Sequence, residues 1–328
     1  MARRSQPVQG RRQALNVKSR HDRVSQRKVI GSLKDSLIKP LTLRLYTQAC
    51  AVFFDLIVSL NWILPSEMWD FDLLMCECIE LWWSEGEPRA LVGNVLSGVE
   101  HFCPPVRGNL RGSWRLWRAW GANELPCRAP PFSLPACLAI CFYMWEWGYS
   151  SAATLTLLAF HRFLRTAEFV SLTKRQLNFH PEHKPTKVFI QFDNSKTAKR
   201  NHNVEGVTIE DVHLVRHLHK LFLAAVSPLE CLMPFSMAQY RKIFAAACSA
   251  AGLGSEFKPY SLRRGGATHH FRECHDMTQT MEIGRWREAR TARIYVNTAL
   301  LELTAMREMS SKEIANAAAH FEDTFVHS

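Results

Sequence analysis

Apolar residues recur at intervals of three and four positions along the first third of the chain. They do so in three segments, 41–60, 69–83 and 89–102, separated by Pro65 and by the turn "SEGEP". Such spacing places the apolar side chains on one face of a helix. We therefore predict a small helical bundle over residues 39–127.

The next segment, "NLRGSWRLWRAWG", keeps the helical spacing but changes its chemistry. Arg111, Arg115 and Arg118 fall on one predicted helix face, with three tryptophans between them. Arginines interleaved with aromatic rings are typical of nucleic-acid-binding surfaces. The alternative is that the tryptophans pack in the core and the arginines are simply solvated.

A second domain is predicted to follow "CRAPPFSLP", residues 127–135, because its three prolines disfavour regular structure. Helices are expected at about 134–147 and 152–165, then two strands in "KVFIQF" and "VEGVTI". Between the strands "DNSKTAKRNHN" forms a basic hairpin tip, and the chain then returns to helix, with "PYSLRRGGATHHF" as a loop leading into one. The predicted fold class is mainly α with a small β-sheet (α+β).

Composition and charge narrow the setting of these domains. An apolar share of 47% over 328 residues is enough for two globular cores. The net charge of +11 favours a polyanionic partner, because clustered Lys and Arg release counterions from a phosphate backbone. The long apolar segments carry Arg44, Asp55, Glu146 and His161, so we interpret them as core helices and expect no membrane association.

The N-terminal residues 1–38 are rich in Arg and Lys and almost free of acids. This composition predicts a disordered tail suited to nucleic-acid binding, nuclear import or organelle targeting, or a solvated tail without function. The ten cysteines are scattered without a CxxC pair, which indicates reduced thiols in an intracellular protein rather than a zinc finger.

Cofactor motifs are missing from the sequence. Neither GxxxxGK[ST] nor GxGxxG occurs, so no nucleotide cofactor is expected. His213 and His217 have the i, i+4 spacing of a metal pair, but no third ligand is indicated and a helix surface is the preferred interpretation. We predict no metal site.

Four basic or aromatic stations in the second domain have the chemistry of phosphoryl transfer. They are "FLRTAEFVSL", "NSKTAKR", "YSLRRGG" and "GRWREARTARIYVN". Transfer at a DNA phosphate needs cations on the non-bridging oxygens, a proton donor for the leaving oxygen and an aligned nucleophile. Arginine suits the first task because its planar fork meets a phosphate bidentately.

The order and context of these stations resemble the tyrosine recombinase (phage integrase) family, with Cre-like features. The family's first arginine stands in an LR-x-x-E context, which Arg165 and Glu168 match, and its lysine lies in a β-hairpin turn, which "SKT" with Lys196 matches. "YSLR", ending at Arg263, corresponds to the family's H-x-x-R box. The last box, a His or Trp after glycine and a tyrosine nine residues later, is matched by Trp286 and Tyr295.

The resemblance implies an enzyme that cuts and rejoins DNA through a 3′-phosphotyrosine, without ATP, metal or cofactor, of the kind that mobile elements encode. It implies a core-binding domain at 39–127, a catalytic domain at 128–309, a C-terminal tail or helix at 310–328 and a tetramer on paired double-stranded DNA sites. The implied catalytic residues are Arg165, Lys196, Tyr260, Arg263, Trp286 and Tyr295, with Glu168 supporting them. The expected DNA-binding residues are Arg111, Arg115, Arg118, Lys199, Arg200, Arg264 and Arg287.

One position departs from the family pattern. Tyr260 stands where the family's second box normally has histidine, and a phenol is a poor acceptor for the nucleophile's proton near neutral pH. Three functions therefore stay open: a recombinase, a type IB topoisomerase and a DNA-binding protein that has lost cleavage. The location is expected to be intracellular, and nuclear in a eukaryotic host.

The segment after Tyr295, "TALLELTAMREM", bears on assembly. Its apolar residues are Leu300, Leu301, Leu303, Met306 and Met309. We expect this helix to dock on a neighbouring subunit, as a C-terminal helix does in the family that the sequence resembles. The alternative is that it folds back on its own subunit.

Overall fold

The computed structural model describes residues 19–30, 32–33, 37–124, 128–192, 205–309 and 311–327. The chain divides into two compact units, residues 1–127 and 128–328. Helices α1 to α5 of the first unit span Arg20–Ile30, Pro40–Ser59, Met68–Ser84, Arg89–Phe102 and Arg111–Asn123. The apolar spacing thus predicted α2, α3 and α4 to within about two residues at each end. The prediction of a disordered tail is wrong for residues 20–30, which form α1.

The core of the first unit is formed by the apolar faces of α2 to α5. Helix α2 packs on α4, and α3 packs on α5. Phe53, Met75, Val95 and Leu96 are fully buried between them. Pro40 opens α2 at its first turn, where a missing N–H costs nothing.

The tryptophans of α5 belong to this core. The indole N–H of Trp114 donates to Glu100 Oε1 at 2.8 Å, and that of Trp117 donates to the Arg89 carbonyl at 3.2 Å. Trp120 is 5% exposed and its indole N–H donates to Glu124. Since each indole is satisfied within the unit, the core interpretation of these rings is the correct one.

Helix α2 is long and apolar enough to cross a membrane by length and composition. It has 20 residues, and its most apolar window has a mean hydropathy of 1.4 with 22% of the window buried. Arg44 and Asp55 alone therefore do not exclude a membrane span, and that part of the prediction is wrong. The packing of Cys50, Phe53 and Ile57 into the core is what supports a core helix.

A buried carboxylate joins α3 to the start of α5. Asp72 is 8% exposed, and its two oxygens accept the backbone N–H groups of Gly112 at 2.8 Å and Ser113 at 3.0 Å. The Ser113 hydroxyl adds a bond of 2.5 Å. The first N–H groups of a helix have no hydrogen-bond partner inside that helix. Asp72, on α3, accepts hydrogen bonds from these groups of α5.

The second unit is mainly helical with one small sheet. Its helices α6 to α10 span Leu134–Glu146, Ser150–His161, Thr166–Val170, Val212–Ala224 and Met237–Ala250. Helices α11 to α15 span Pro259–Cys274, Met277–Gly284, Ala289–Tyr295, Thr298–Met309 and Lys312–His327. The predicted fold class, mainly α with a small sheet, is confirmed.

The sheet has three antiparallel strands in the order β1-β2-β3, spanning Leu177–His180, Lys187–Phe192 and Glu205–Ile209. Val188, Ile190 and Phe192 alternate inward on β2. The sequence predicted β2 and β3 but not β1, whose four residues are too few to show an alternating pattern. Residues 193–204, with the predicted hairpin tip, lie outside the described residues.

Two further predictions for the second unit are corrected. Helix α7 ends at His161, because Phe163 takes a left-handed conformation with φ of 48°. "PYSLRRGGATHHF" is helical from Pro259 onward, so it contains no loop. Lys258 is the last extended residue before this helix.

The C-terminal helices pack on their own unit. Helix α15 lies along α6 and buries Ile314, Phe321 and Phe325. In α14, Leu301 is 3% exposed, whereas Leu303 and Met306 are 55% and 66% exposed. One face of α14 is therefore folded back, and the other carries exposed apolar side chains.

Replacing Asp72 with asparagine should loosen the junction of α3 and α5. The charge-assisted hydrogen bonds to α5 weaken, so we expect a loss of about 2 kcal/mol in the local free energy of opening. Native-state hydrogen exchange of the α5 amides measures it. Asp70→Asn, at an exposed position of the same helix, is the matched control. Equal protection in both variants would show that Asp72 does not hold α5.

Candidate active site

The site begins at Arg165, the last residue before the short helix α8. Its backbone N–H donates to Glu168 Oε2 at 2.8 Å, and its Nη1 donates to Glu168 Oε1 at 2.6 Å. Glu168 is thus a cap for the helix and an anchor for the guanidinium at once. The Arg165 side chain is 33% exposed, so it is fixed at one end and accessible at the other.

Helix α11 brings the second arginine into the centre of the unit. A methyl group at Gly266 would overlap the carbonyl oxygen of Phe160, and one at Gly265 would overlap the backbone of Phe132. Only glycine therefore lets α11 approach α7 and the segment before α6 this closely. The close approach buries Arg263, which stands two residues before Gly265, completely.

The Arg263 guanidinium is held by backbone carbonyls on two sides. Its Nη2 donates to the Gly284 carbonyl at 2.8 Å, and its Nη1 donates to the carbonyl of Phe163. Its Nε is buried and has no hydrogen-bond partner among the described residues. Burial, and then the charges of Arg165 and Arg285, lower the pKa of Arg263 to about 10, so it stays charged at neutral pH.

Two aromatic rings cover this guanidinium. Trp286 and Tyr295 stack with centroids 4.7 Å apart and an angle of 27° between their planes. The Arg263 Cζ lies 4.9 Å from the Trp286 ring centroid and 5.1 Å from that of Tyr295. Trp286 is 7% exposed, and its buried indole N–H has no partner among the described residues.

Tyr295 is the last residue of α13, and its backbone is tied to α11. The Thr268 hydroxyl donates to the Tyr295 carbonyl at 3.2 Å and accepts the Asn297 N–H at 3.1 Å. The seven-residue helix thereby returns the tyrosine to the helix that carries Arg263. The structure thus brings together Arg165, Arg263, Trp286 and Tyr295 from four separate elements.

Tyr260 completes the aromatic cluster. It lies one turn before Arg263 on α11, and its ring centroid is 5.7 Å from that of Tyr295. Partial burial, and then the neighbouring Tyr295 hydroxyl, raise the pKa of Tyr260 above its usual value. The phenol is therefore protonated near pH 7 and can donate a hydrogen bond.

The structure separates the expected DNA-binding residues into groups. Arg111, Arg115 and Arg118 are exposed on α5, and Arg287 is exposed beside Trp286. Arg264 is 3% exposed and donates to the Ala129 carbonyl, which corrects its prediction as a DNA contact. It ties α11 to the segment before α6 instead.

The remaining predicted residues, Lys196, Lys199 and Arg200, lie outside the described residues.

The predicted helix-surface histidines differ in burial. His217 is 3% exposed, and its Nε2 lies 2.8 Å from the Phe325 carbonyl of α15. It is a packing residue, so the surface interpretation is wrong for it. Across the residues that the structure describes, no group of three His, Cys, Asp or Glu side chains could hold a metal ion.

Arg285 is a site residue that sequence reasoning missed. It stands between Gly284 and Trp286 in a left-handed conformation with φ of 55°, and its side chain is 6% exposed. Its Nη2 lies 2.5 Å from Glu168 Oε2. The only signal in the sequence is its position inside "GRWREARTARIYVN", where it was one of four arginines.

Comparison with known proteins gives similarities of structure only. No model of a protein family matches the sequence, and no curated protein matches it. The Tn1549 transposon integrase in complex with transposon right end DNA aligns with a TM-score of 0.55 and 11% identity, over 88% of this chain and 98% of that one.

Two lambda integrase structures align comparably. A dimer bound to a COC′ core site has a TM-score of 0.52 and 16% identity, over 85% of this chain and 94% of that one. A tetramer bound to a Holliday junction has a TM-score of 0.51 and 14% identity, over 90% and 82%. Identities this low establish the fold alone. The chain therefore has a fold like that of the tyrosine recombinases and integrases.

Proposed function

We propose that this protein is a site-specific DNA recombinase or integrase that cuts and rejoins DNA through a phosphotyrosine. The observation that carries the proposal is the convergence of Arg165, Arg263, Trp286 and Tyr295, in the order that the family pattern requires, on one cluster. The similarity to integrase structures supports it as a likeness of fold.

The electrostatics of the cluster favour an anion. Three guanidinium groups, of Arg165, Arg263 and Arg285, act on one another around the carboxylate of Glu168, and the carboxylate of Glu205 also acts on Arg285. Positive charge thus exceeds negative charge in a largely buried place, where it acts more strongly than in water. A phosphodiester placed against the exposed end of Arg165 offsets this excess.

The reaction is an exchange of phosphate esters. The Tyr295 oxygen attacks phosphorus and releases its proton to solvent water, while the bond from phosphorus to the 5′ oxygen breaks. Lys196 gives the leaving oxygen its proton, and the arginines and the Trp286 indole N–H stabilise the charge on the non-bridging oxygens. One ester replaces another, so the 5′ hydroxyl can reverse the step without ATP.

Tyr260 supplies a hydrogen bond but not a base in this scheme. Its raised pKa keeps the phenol protonated. This observation favours the second candidate function, a DNA-binding protein with weak or lost cleavage. DNA binding without covalent adducts would support that candidate, and plasmid relaxation by a monomer without exchange between sites would indicate a topoisomerase.

Access to Arg263 requires movement. The guanidinium is fully buried under Trp286 and Tyr295, so DNA binding has to shift the Tyr295 ring before a phosphate can reach it. The exposed apolar residues Leu303 and Met306 of α14 suit an additional contact between subunits on DNA. We propose a tetramer on paired sites as the active assembly.

Tyr295→Phe should abolish covalent adducts with DNA fragments that flank the protein's own gene. DNA affinity should change little, because only one hydroxyl is removed. Denaturing gels detect the adduct, and filter binding measures the affinity. Adducts that survive in the variant would sink the assignment of Tyr295 as the nucleophile.

Tyr260→His should raise the rate of adduct formation by about 10 to 100-fold, since an imidazole can accept the proton that the phenol cannot. Single-turnover kinetics on the same DNA measure the rate. An unchanged or lower rate would mean that the site is adapted to the phenol or that the protein is not an active enzyme.

Lys196→Ala should slow cleavage more than Lys199→Ala does, because only Lys196 is assigned the proton for the leaving oxygen. The two lysines are three residues apart in the same segment, so each is the control for the other. The same single-turnover assay compares them. A larger loss of cleavage rate in Lys199→Ala would assign the general-acid role to Lys199 instead.

A further inference from the structure

We propose that Arg285 is a positioning residue for this reaction. Through Glu168 it fixes the guanidinium of Arg165, and through Phe192 it joins that pair to the strand that leads to Lys196. The inference rests on the proposed function, because Arg165 and Lys196 are assigned their roles there.

The two arginines share one carboxylate. Glu168 receives Arg165 Nη1 on Oε1 at 2.6 Å and Arg285 Nη2 on Oε2 at 2.5 Å. The Glu168 and Arg285 side chains are 10% and 6% exposed, whereas that of Arg165 is 33% exposed. Arg285, the more buried arginine, therefore anchors the Glu168 carboxylate. The carboxylate in turn holds the more exposed Arg165 guanidinium in place.

Arg285 also reaches the base of the hairpin. Its Cζ lies 4.4 Å from the ring centroid of Phe192, the last residue of β2. Phe192 pairs in register with Glu205 on β3, and Glu205 contributes to keeping Arg285 charged. Charge and ring contacts thus join Arg285 to both strands on either side of the segment that contains Lys196.

The backbone of Arg285 explains how one loop serves two parts of the site. Its positive φ is uncommon outside glycine, and such conformations concentrate at functional sites. Arg285 faces Glu168 and Phe192, while the next residue, Trp286, stacks on Tyr295. The Gly284 carbonyl before it accepts Arg263 Nη2 at 2.8 Å. Three consecutive residues therefore hold the side chains of Arg263, Arg165 and Tyr295 in place.

The shared carboxylate makes the role testable by pH. Burial raises the pKa of Glu168, and Arg285 and then Arg165 lower it, with a net downward shift. Arg165 on its own helix, Arg285 from the loop after α12 and Arg263 on α11 are the charged groups that act with it. Removing the Arg285 charge should raise the pKa of Glu168, so that mild acid protonates it and releases Arg165.

The test compares three variants of the full chain on a supercoiled plasmid that carries the DNA flanking its own gene. Arg285→Gln removes the charge and Arg285→Lys retains it. Arg272→Gln is the matched control, because Arg272 forms an exposed pair with Glu302 at 3.7 Å. The readouts are the rate of adduct formation from pH 5 to 8, plasmid affinity and the urea midpoint.

For Arg285→Gln we expect a loss of about 10²-fold in rate, as for a misplaced catalytic group, with plasmid affinity nearly unchanged. The loss should deepen as the pH falls from 7 to 5, while the wild type and Arg272→Gln keep a flatter profile. Arg285→Lys should restore the flatter profile with part of the rate.

Three results would overturn the inference. They are a wild-type rate in Arg285→Gln, an equal and pH-independent loss in both Arg285 variants, and a loss fully accounted for by a lowered urea midpoint. If the wild-type protein itself forms no adduct, the proposed function fails too. That result is therefore distinct from a failure of the Arg285 inference alone, in which the wild-type protein still forms adducts.

Discussion

A buried guanidinium is the constraint on which the second unit depends. Arg263 can be fully buried only because the carbonyls of Phe163 and Gly284 accept its hydrogen bonds and two rings cover its face. An unpaired buried charge is very costly, so these partners have to be placed accurately. The left-handed turn at Phe163 and the glycines of α11 serve that placement. The chemistry of the site and the packing of the unit therefore share one set of contacts.

The balance of charge determines what the site can bind. Glu168 offsets part of the positive charge and fixes two arginines in place, and it leaves an excess suited to a phosphate. Because Glu168 anchors two arginines in advance, the proposed transfer reaction would need less reorganisation when negative charge develops. Tyr260, whose phenol stays neutral, extends the donors of the site without adding a base.

Patterns in the sequence predicted the features that depend on residues close together along the chain. Periodicity predicted helices α2 to α5 and strands β2 and β3. Motif spacing gave the order of Arg165, Arg263, Trp286 and Tyr295. The sequence did not predict which residues far apart along the chain contact one another. Arg264 was predicted to bind DNA because no pattern shows that α11 is buried on that face. The pairing of Arg285 with Glu168 joins residues far apart in sequence. The α5 tryptophans fitted a binding surface and a core equally well until their indole partners were known.

The proposed function requires Tyr295 to form a covalent bond with DNA, and the neighbouring Tyr260 is the alternative nucleophile, with ring centroids 5.7 Å apart. Protease digestion of protein trapped on a nicked DNA that contains its site, followed by mass spectrometry, identifies the modified peptide directly. We expect a nucleotide mass on the peptide that contains Tyr295, attached through its phenolic oxygen. A nucleotide on Tyr260, or none on either tyrosine while DNA stays bound, would contradict it.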